Sequence, residues 1–575
     1  MHKSADIYSQ TFEVQDPQYP ELSGLKVHFE SFVEGDALQE QMLIDEMPAK
    51  KNQTWETFFF NYYEPEFAAS SLLITIYADF EKSILGSYRN GIWFGVKAQQ
   101  QEGNAQLVFA HCGEKQSKSS ALNELASIFQ GIPPTSKKII AHGNCDGFAL
   151  WRFDPKLPLF LCYQYAGKKE TLEEQRSISF ALAKQQVLEK DTSWLTKQKS
   201  APQFCPEAIK NLYSRSLLTV KQMQDPSGGI IAAPEFQFEF THCGGYGYCW
   251  GRDAGFITFA MDVCGMHKES AHFYEYMMKC QNNDGSFFHR HDMDAHLGSS
   301  WGFLQPDETG SVIFGLWQHI HLSQNKEIAY KLKNHITKAI DWLCTAKFKP
   351  DSLLPIPGID LWEERDGIHL YSVAAMVAGI ESGLKIYQFM GWEQEILPLW
   401  EKRTIELKEL INSEPFVSKN EGNKYTFSRI LQYKIDPQRR VDTEHTLDIS
   451  MIGILYPYDV LDPNIKKECA LHLTRQLMDA LWVEPNGGIK RYEDDQYRKG
   501  SPWILTTLWL ALAAYRLGER EIGKKCFTWA LEHVTPEGFF AEQIDPKTGQ
   551  PCWVVPLTWS HAMFLLCIQE FPEDF

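Results

Sequence analysis

Two kinds of helical pattern alternate from residue 206 to the end of the chain, and this alternation restricts the fold more than any other feature. Twelve helices are predicted, beginning near Pro206, Arg252, Lys268, Thr309, Lys326, Ser372, Glu393, Thr446, Ile465, Pro502, Arg520 and Leu557. The even-numbered helices are apolar on nearly all sides, whereas the odd-numbered ones are amphipathic and charged. A helix that is apolar all round is buried, and a one-sided helix lies on the surface. Six such pairs predict an inner ring of helices inside an outer ring, an (α/α)6 barrel.

The first 175 residues follow a different pattern. They contain short runs of aromatic and β-branched residues between Gly, Asn and Asp turn signals, for example at 70–77, 91–96 and 148–153. Several such strands in succession predict an N-terminal β-sandwich domain over residues 1–175.

The two patterns are separated by a charged segment that is rich in Gln and Lys. We interpret residues 176–204 as a linker with a last strand at 177–183 and a helix. A chain of 575 residues is too long for one hydrophobic core, so residues 205–575 are predicted to form the barrel as a separate domain.

Charge and composition exclude several classes of partner. The formal net charge of −18 disfavours nucleic acids and anionic membranes, so a neutral substrate is expected. The first residues contain no apolar run of the length expected for a signal peptide, and no stretch reaches the roughly 18 apolar residues of a membrane span. The 13 Cys residues lack a disulfide-framework spacing, which predicts reduced thiols and a cytoplasmic location. The oligomeric state is left open.

The loops that lead into the inner helices all open at one end of such a barrel, so functional groups are expected there. Each of these loops holds carboxylate, Arg or aromatic side chains, at 246–253, 301–308, 360–367, 439–445, 491–497 and 541–545. In the third loop, Glu363 and Glu364 follow Trp362. A Glu beside a large aromatic ring is desolvated, which raises its pKa and favours the protonated acid. Carboxyl pairs of this kind perform glycoside hydrolysis.

Five ordered motifs carry a family resemblance. They are Trp-x-Arg-Asp-Ala at 250–254, Ser-Trp-Gly with Gln-Pro-Asp at 300–307, Asp-Leu-Trp-Glu-Glu at 360–364, Arg-Tyr-x-Asp-Asp with Gly-Ser-Pro-Trp at 491–503, and Glu-Gln-x-Asp with Leu-Thr-Trp-Ser at 542–560. Over about residues 205 to 570 the chain resembles the glucoamylase family of inverting glycosidases, glycoside hydrolase family 15. The first part resembles the N-terminal sandwich of the prokaryotic members.

The resemblance implies a role for each matching residue. Glu363 would be the general acid and Glu542 the general base, about 6.5 to 9.5 Å apart so that a water fits between base and sugar. The other implied substrate-binding residues are Glu364 in the leaving-group site, Arg252 and Asp253 on the hydroxyls of the terminal glucose, Tyr246 and Trp250 lining that pocket, Trp301, Trp362, Arg491 and Trp559 in neighbouring subsites, and Asp307 and Asp494 near the rim. Gly247 and Cys249 depart from the family pattern in the pocket wall. Sequence chemistry alone does not choose Glu363 over Glu364.

The function implied is that of an inverting exo-acting α-glucosidase that needs no cofactor. It would release β-glucose from the non-reducing ends of malto-oligosaccharides or glycogen-like glucans. Two alternatives stay open: a family relative that acts on trehalose, isomaltose or dextran, and a non-catalytic glucan-binding or regulatory protein. No metal is predicted, because the His- and Asp-rich segment 289–296 has no closed tetrahedral spacing.

Overall fold

The computed structural model describes two compact units, Met1–Trp194 and Leu195–Phe575. It describes residues 180–571 except 235–244, 294, 296–303, 348–351, 394, 420–423 and 434–440, and, nearer the N-terminus, the strands between 7 and 166 with a few adjoining residues. The border between the units lies inside the segment 176–204 that was interpreted as a linker.

The first unit is strand-rich, as predicted. Its strands are β1 (Ile7–Glu13), β2 (Lys26–Glu34), β3 (Ala37–Glu46), β4 (Phe58–Tyr63), β5 (Thr75–Asp79), β6 (Ile84–Arg89), β7 (Ile92–Gln100), β8 (Gln106–Glu114), β9 (Ile140–His142), β10 (Cys145–Arg152) and β11 (Leu159–Ala166). They form an antiparallel eight-stranded sheet in the order β1-β2-β3-β11-β7-β6-β5-β9 and a three-stranded sheet, β4-β10-β8. Buried side chains from both sheets, among them Ile76, Val96 and Trp151, form one core.

The unit ends in helix α1 (Phe180–Leu195), where the sequence was expected to form a strand at 177–183. The prediction was wrong for residues 180–183, and residues 177–179 lie outside the described part of the chain. The residues from Phe180 to Lys184 alternate apolar and small side chains as a strand would, but Ala, Leu and Lys all have high helix propensity.

The second unit is the predicted double ring of helices. The inner elements are α3 (Gly251–Val263), α5 (Pro306–Ser323), α7 (Leu370–Met390), the 3-10 helix Ile449–Ile454, α10 (Ile504–Arg516) and α12 (Thr558–Glu570). The outer helices are α2 (Glu207–Gln222), α4 (His267–Lys279), α6 (Lys326–Thr345), α8 (Leu397–Ile411), α9 (Pro463–Leu481) and α11 (Arg520–Glu532). Each inner element packs against the next, and α12 packs against α3, so the ring is closed. The predicted fold class is confirmed.

The eighth element differs from the full helix expected near Thr446. It is a 3-10 helix of six residues, because the chain just before it forms strand β17 (Val441–Glu444). This strand belongs to a sheet that the sequence did not predict, with β12 (Gly358–Ile359), β13 (Asp366–His369) and β16 (Ile430–Tyr433), in the order β12-β13-β16-β17. The remaining short strands are β14 (Val417–Lys419), β15 (Tyr425–Phe427), β18 (Gln543–Ile544) and β19 (Pro551–Cys552).

Glycines let the inner helices approach closely. A Cβ on Gly310 in α5 would overlap the carbonyl oxygen of Ala375 in α7, and one on Gly379 would lie 2.8 Å from the Cα of Gly310. The two backbones are therefore in direct contact, which explains the small residues in these apolar helices. Although the inner helices are apolar on all sides, none of the helices described has both the length and the hydropathy needed to cross a bilayer.

Candidate active site

A cavity of about 290 Å³ opens among the loops that lead into the inner helices. Ten of the residues expected at the site line it: Tyr246, Trp250, Arg252, Asp253, Trp362, Glu363, Glu364, Arg491, Glu542 and Trp559. The sequence prediction missed six lining residues: Ala232, Leu361, Tyr497, Trp503, Leu505 and Leu557. All of these residues belong to the second unit.

The two adjacent glutamates occupy the turn between β12 and β13. This hairpin pairs Ile359 with Asp366, so the intervening residues form its tip. Glu363 has a left-handed backbone (φ 59°), which costs on the order of 1–3 kcal/mol for a residue other than glycine. The turn is held by Asp360, whose carbonyl accepts a hydrogen bond from the Glu363 amide at 3.0 Å. This backbone conformation brings both consecutive side chains to the cavity.

The two glutamates have different partners. Glu363 is half-buried and accepts one hydrogen bond, from the indole N–H of Trp250 at 2.8 Å. Glu364 forms an ion pair with Arg491 at 2.7 Å and also accepts a hydrogen bond from the Tyr492 hydroxyl. Both oxygens of Glu364 are thus engaged as acceptors, whereas one oxygen of Glu363 is.

Buried charges beneath the turn fix Trp362. The indole N–H of Trp362 donates to the carboxylate of Asp448 at 3.0 Å, and Asp448 pairs with Arg429 at 2.8 Å. Asp360 pairs with His369 at 3.2 Å and lies 3.5 Å from Arg429. Burial alone would raise the pKa of Asp360, but His369 and Arg429 hold it well below its usual value. These charges balance within the protein interior, so the turn rests on a rigid base.

Glu542 is the most deeply buried carboxyl on the cavity wall. One oxygen accepts a hydrogen bond from the Tyr246 hydroxyl at 2.9 Å and the other from the Gln543 amide at 2.7 Å. Burial raises the pKa of Glu542 to about 7, and the two hydrogen bonds and the charge of Arg491 oppose this rise.

Arg252 lies in a nest of acidic side chains at the start of α3. Its guanidinium is 3.2 Å from Asp253, 3.0 Å from Asp307 and 3.1 Å from Glu308. Burial raises the pKa of all three acids, that of Asp253 to about 6, although Arg252 counteracts the rise. Asp307 was expected near the rim of the subsites, but it is fully buried behind Arg252 and does not line the cavity. Its carboxylate orients Arg252.

Arg491 lies on another part of the cavity wall. Its guanidinium forms two hydrogen bonds with Asp495, at 2.7 and 3.0 Å, and lies over the rings of Trp362, Tyr497 and Trp503. The sequence prediction chose the neighbouring Asp494, which is instead exposed and lies 3.3 Å from Arg365, outside the cavity lining. Of the two neighbouring Asp residues, Asp495 is the one that pairs with Arg491.

The remaining predicted residues have simpler outcomes. Trp559 lines the cavity and packs on Phe256, with ring centroids 4.9 Å apart. Trp301 lies outside the described residues. Tyr497 and Trp503 could have been found, because they belong to the same inner-helix entrance as Arg491. Ala232 and Leu557 have no polar group, so no sequence signal marks them.

A group of metal-ligating residue types lies away from this cavity, in the second unit. Asp262 of α3 is 2.8 Å from His267 of α4 and 2.9 Å from His319 of α5. Both separations are hydrogen-bond lengths, so the buried carboxylate accepts a hydrogen bond from each imidazole. The hydrogen bond with Asp262 raises the pKa of His267. These contacts tie three barrel helices together.

Comparison with known proteins agrees with this architecture. The chain is 29% identical over 375 residues to an uncharacterized glycosyl hydrolase of Methanocaldococcus jannaschii, covering 63% of this chain and 56% of that protein. It is 22% identical over 397 residues to a trehalase of Mycolicibacterium smegmatis, covering 61% of this chain and 54% of the trehalase. The chain thus spans little more than half the length of these curated relatives.

A solved structure extends the likeness to the whole fold. The crystal structure of a bacterial glucoamylase complexed with acarbose superposes with a TM-score of 0.74 at 16% identity, covering 99% of this chain and 86% of that one. At this identity the match shows a shared fold. The sequence profile of the glycosyl hydrolases of family 15 matches residues 207–525, a stretch that runs from α2 into α11 and includes both adjacent glutamates. Because this match covers more than half of the sequence, the chain belongs to glycosyl hydrolase family 15.

Proposed function

We propose that this protein is an inverting exo-acting α-glucosidase that releases β-glucose from the non-reducing ends of malto-oligosaccharides or glycogen-like glucans. The observation that carries the proposal is the meeting of Glu363 and Glu542 at one cavity, from loops nearly 180 residues apart. Glycoside hydrolysis needs two carboxyl groups in different protonation states on either side of the scissile bond.

The partners of the adjacent glutamates favour Glu363 as the general acid. An acid must keep a proton for the leaving oxygen. Both oxygens of Glu364 already accept hydrogen bonds, one from the guanidinium of Arg491 and one from the Tyr492 hydroxyl, so neither is placed to donate to a leaving oxygen. Glu363 accepts a hydrogen bond from the Trp250 N–H on one oxygen, which leaves the other oxygen to carry the proton. Glu364 is better suited to bind a sugar hydroxyl.

The surroundings of Glu542 suit a general base. Both of its oxygens accept hydrogen bonds from the protein, which is the pattern of an ionised carboxylate. A carboxylate has about four acceptor positions, so a water molecule can still donate to it. That water would attack the anomeric carbon from the face opposite the leaving group, and a single displacement inverts the configuration to β-glucose.

The cavity also supports a neutral sugar and cleavage from a chain end. Both arginines of the wall are already neutralised, Arg252 by Asp307 at 3.0 Å and Arg491 by Asp495 at 2.7 Å. Neither is therefore available for a phosphate group. A volume of about 290 Å³ is at the lower end for small-ligand pockets, which suits a terminal sugar and its neighbour rather than a continuous chain.

The likeness to a trehalase makes trehalose the second candidate substrate. The same acid and base would cleave either linkage, because in each case the bond that breaks joins an oxygen to the anomeric carbon of a terminal glucose. Isomaltose and dextran are open for the same reason. The non-catalytic alternative is disfavoured, since both carboxyls required for turnover are present at the cavity.

We also propose a reducing compartment, the cytoplasm, as the site of action. Every cysteine that the structure describes is a free thiol, and all of them except Cys552 are buried. Free buried thiols persist where the cell keeps cysteine reduced.

The first product tests the proposal. We expect ¹H NMR of maltose digestion by the full-length protein to show β-glucose before mutarotation. An α-anomer as first product would refute inversion, and cleavage of trehalose without maltose would move the proposal to the second candidate.

Variants of the three glutamates test the roles. Glu363→Gln and Glu542→Gln should each lower kcat by about 10²–10⁴-fold or more with an unchanged melting temperature. Glu364→Gln is the matched control, because it removes the neighbouring carboxylate. It should mainly raise KM. The assignment would be contradicted if Glu363→Gln kept most of its activity, or if Glu364→Gln lost more kcat than Glu363→Gln.

A further inference from the structure

Glu542 is the inner end of a hydrogen-bonded chain of three side chains. The indole N–H of Trp553 donates to the Tyr246 oxygen at 2.8 Å, and the Tyr246 hydroxyl donates to Glu542 at 2.9 Å. Trp553 does not line the cavity. It therefore touches the candidate base through Tyr246 and does not contact a bound sugar.

The chemistry of the first residue fixes the direction of the chain. An indole N–H donates and never accepts, so the Tyr246 oxygen must be the acceptor in its bond with Trp553. A phenol has one proton, and the donation from Trp553 leaves that proton directed to another acceptor. Glu542 lies 2.9 Å away, whereas the hydroxyl of Tyr497 is at 3.4 Å and uncharged, so the shorter, charged contact is with Glu542.

Trp553 is held in a strained conformation by the hairpin that carries Glu542. Its φ of 66° is left-handed, which a bulky residue adopts only when its surroundings impose it. On one side β19 pairs with β18, and on the other the Val554 carbonyl accepts from the Glu542 amide at 3.0 Å. The guanidinium carbon of Arg498 lies 3.0 Å from the centre of the indole ring and covers it. The same short hairpin thus fixes both ends of the chain.

From this geometry we propose that Trp553 is a positioning residue that directs the Tyr246 hydroxyl onto Glu542. The bond from Trp553 polarises the phenol and makes it a stronger donor. A stronger donor stabilises the ionised form of Glu542, the form that activates water. The inference rests on the proposed role of Glu542 as general base.

Other groups also affect the pKa of Glu542, independently of Trp553. Arg491 lowers the pKa of Glu542 and Asp253 raises it, while Gln543 supplies a neutral hydrogen bond that lowers it. Cys552 is close enough to both Glu542 and Arg498 for their charges to act on its thiol. None of these groups is altered by removing the N–H of Trp553.

The pH profile of kcat/KM measures the effect. Tyr246→Phe should move the acid limb to higher pH by about one unit, the usual size for one hydrogen bond to a charged group. Trp553→Phe should move it in the same direction by about half as much. The double variant should match Tyr246→Phe, because Trp553 acts through the hydroxyl that Tyr246→Phe has already removed.

Two controls separate positioning from packing. Replacing Trp553 with its benzothienyl isostere keeps a bicyclic ring but removes the N–H. This variant should shift the acid limb in the same direction as Trp553→Phe. It remains informative if the smaller Phe ring disturbs the fold. Trp392→Phe changes an indole that packs on Tyr387 away from the cavity, and should leave the profile unchanged.

An unshifted limb in the isostere, or shifts that add in the double variant, would overturn the proposal. Failure of the proposed role of Glu542 gives a different result: a limb near pH 7 that persists in Glu542→Gln, separate from the one that Asp253 contributes near pH 6, would show that Glu542 is not the base.

Discussion

The two adjacent glutamates show what one backbone angle decides at the scale of a residue. Sequence chemistry marked Glu363 and Glu364 equally, because both follow Trp362. The left-handed φ of Glu363 brings both side chains to the cavity, and their separate partners, Trp250 and Arg491, then distinguish them. Nothing in the local sequence signals a positive φ at a glutamate. The choice between the two therefore had to come from the structure or from the family resemblance.

The loop that carries Arg491 also shows that sequence does not predict which of two adjacent side chains points toward a partner. The sequence placed Arg491, Asp494 and Asp495 within one loop and named Asp494 for the rim, but it did not show that Asp495 is the partner of Arg491. Which of two adjacent side chains turns inward depends on the path of the loop, and this loop is irregular around Tyr497. Residue type was predictable here, but residue orientation was not.

The ionisation of Glu542 gives a prediction at this scale. Burial raises its pKa to about 7, and a base works only as the carboxylate. Below that pH the carboxylate takes up a proton, so kcat/KM should fall about tenfold for each further pH unit. Asp253, with a pKa of about 6, should steepen the fall once the pH drops below 6.

Initial rates on a neutral disaccharide from about pH 4.5 to 9 would check this expectation, since kcat/KM reports the groups of the free enzyme. Glu542→Gln supplies the control, because its residual activity should lose the limb near pH 7 and keep the fall below pH 6 that belongs to Asp253. A profile that stays flat down to pH 5 would contradict the raised pKa.

At the scale of the element, hydrophobic pattern predicted eleven of the twelve barrel positions as helices. The pattern works because an inner helix must be apolar on all sides, and this leaves a clear signal. It failed at Ile449–Ile454, where the chain before the helix forms β17 instead. β16 and β17 are four residues each, and periodicity within so short a segment does not reveal a strand or its pairing.

The glycine contact between α5 and α7 gives a prediction for the same scale. Gly310→Ala would place a methyl group against the rigid carbonyl of Ala375, so the two helices must move apart. We expect the free energy of unfolding to fall by about 1–3 kcal/mol, the usual cost of overpacking a core. Chemical denaturation would measure it.

Gly523→Ala in the outer helix α11 is the matched control. The added Cβ would lie 3.3 Å from its nearest neighbour, the Ala511 oxygen, which a small shift accommodates. Ala has the higher helix propensity, so this variant should be neutral or slightly stabilised. Equal losses of stability in the two variants would show that helix contact is not the cause.

At the scale of the whole molecule, the sequence predicts the fold clearly and gives the protein a large negative net charge. Alternating helix types and five ordered motifs made both the double ring and its functional end predictable, because a closed ring fixes where its loops must meet. The network of Asp360, His369, Arg429 and Asp448 was not predictable, since it joins four separated segments. The net charge of −18 has a further consequence for catalysis.

A field of this size acts on charged substrates and leaves neutral ones unsteered. The value of kcat/KM for a neutral malto-oligosaccharide should therefore change less than about twofold between roughly 0.02 and 0.5 M NaCl. The same oligosaccharide oxidised to a carboxylate at its reducing end should be a poorer substrate at low salt. Its kcat/KM should rise several-fold with salt, because screening weakens its repulsion by the protein and by the carboxylates of the cavity. Measurement at pH 8 keeps Glu542 ionised throughout, and a steep fall for the neutral sugar would show that attraction between charges contributes to its binding.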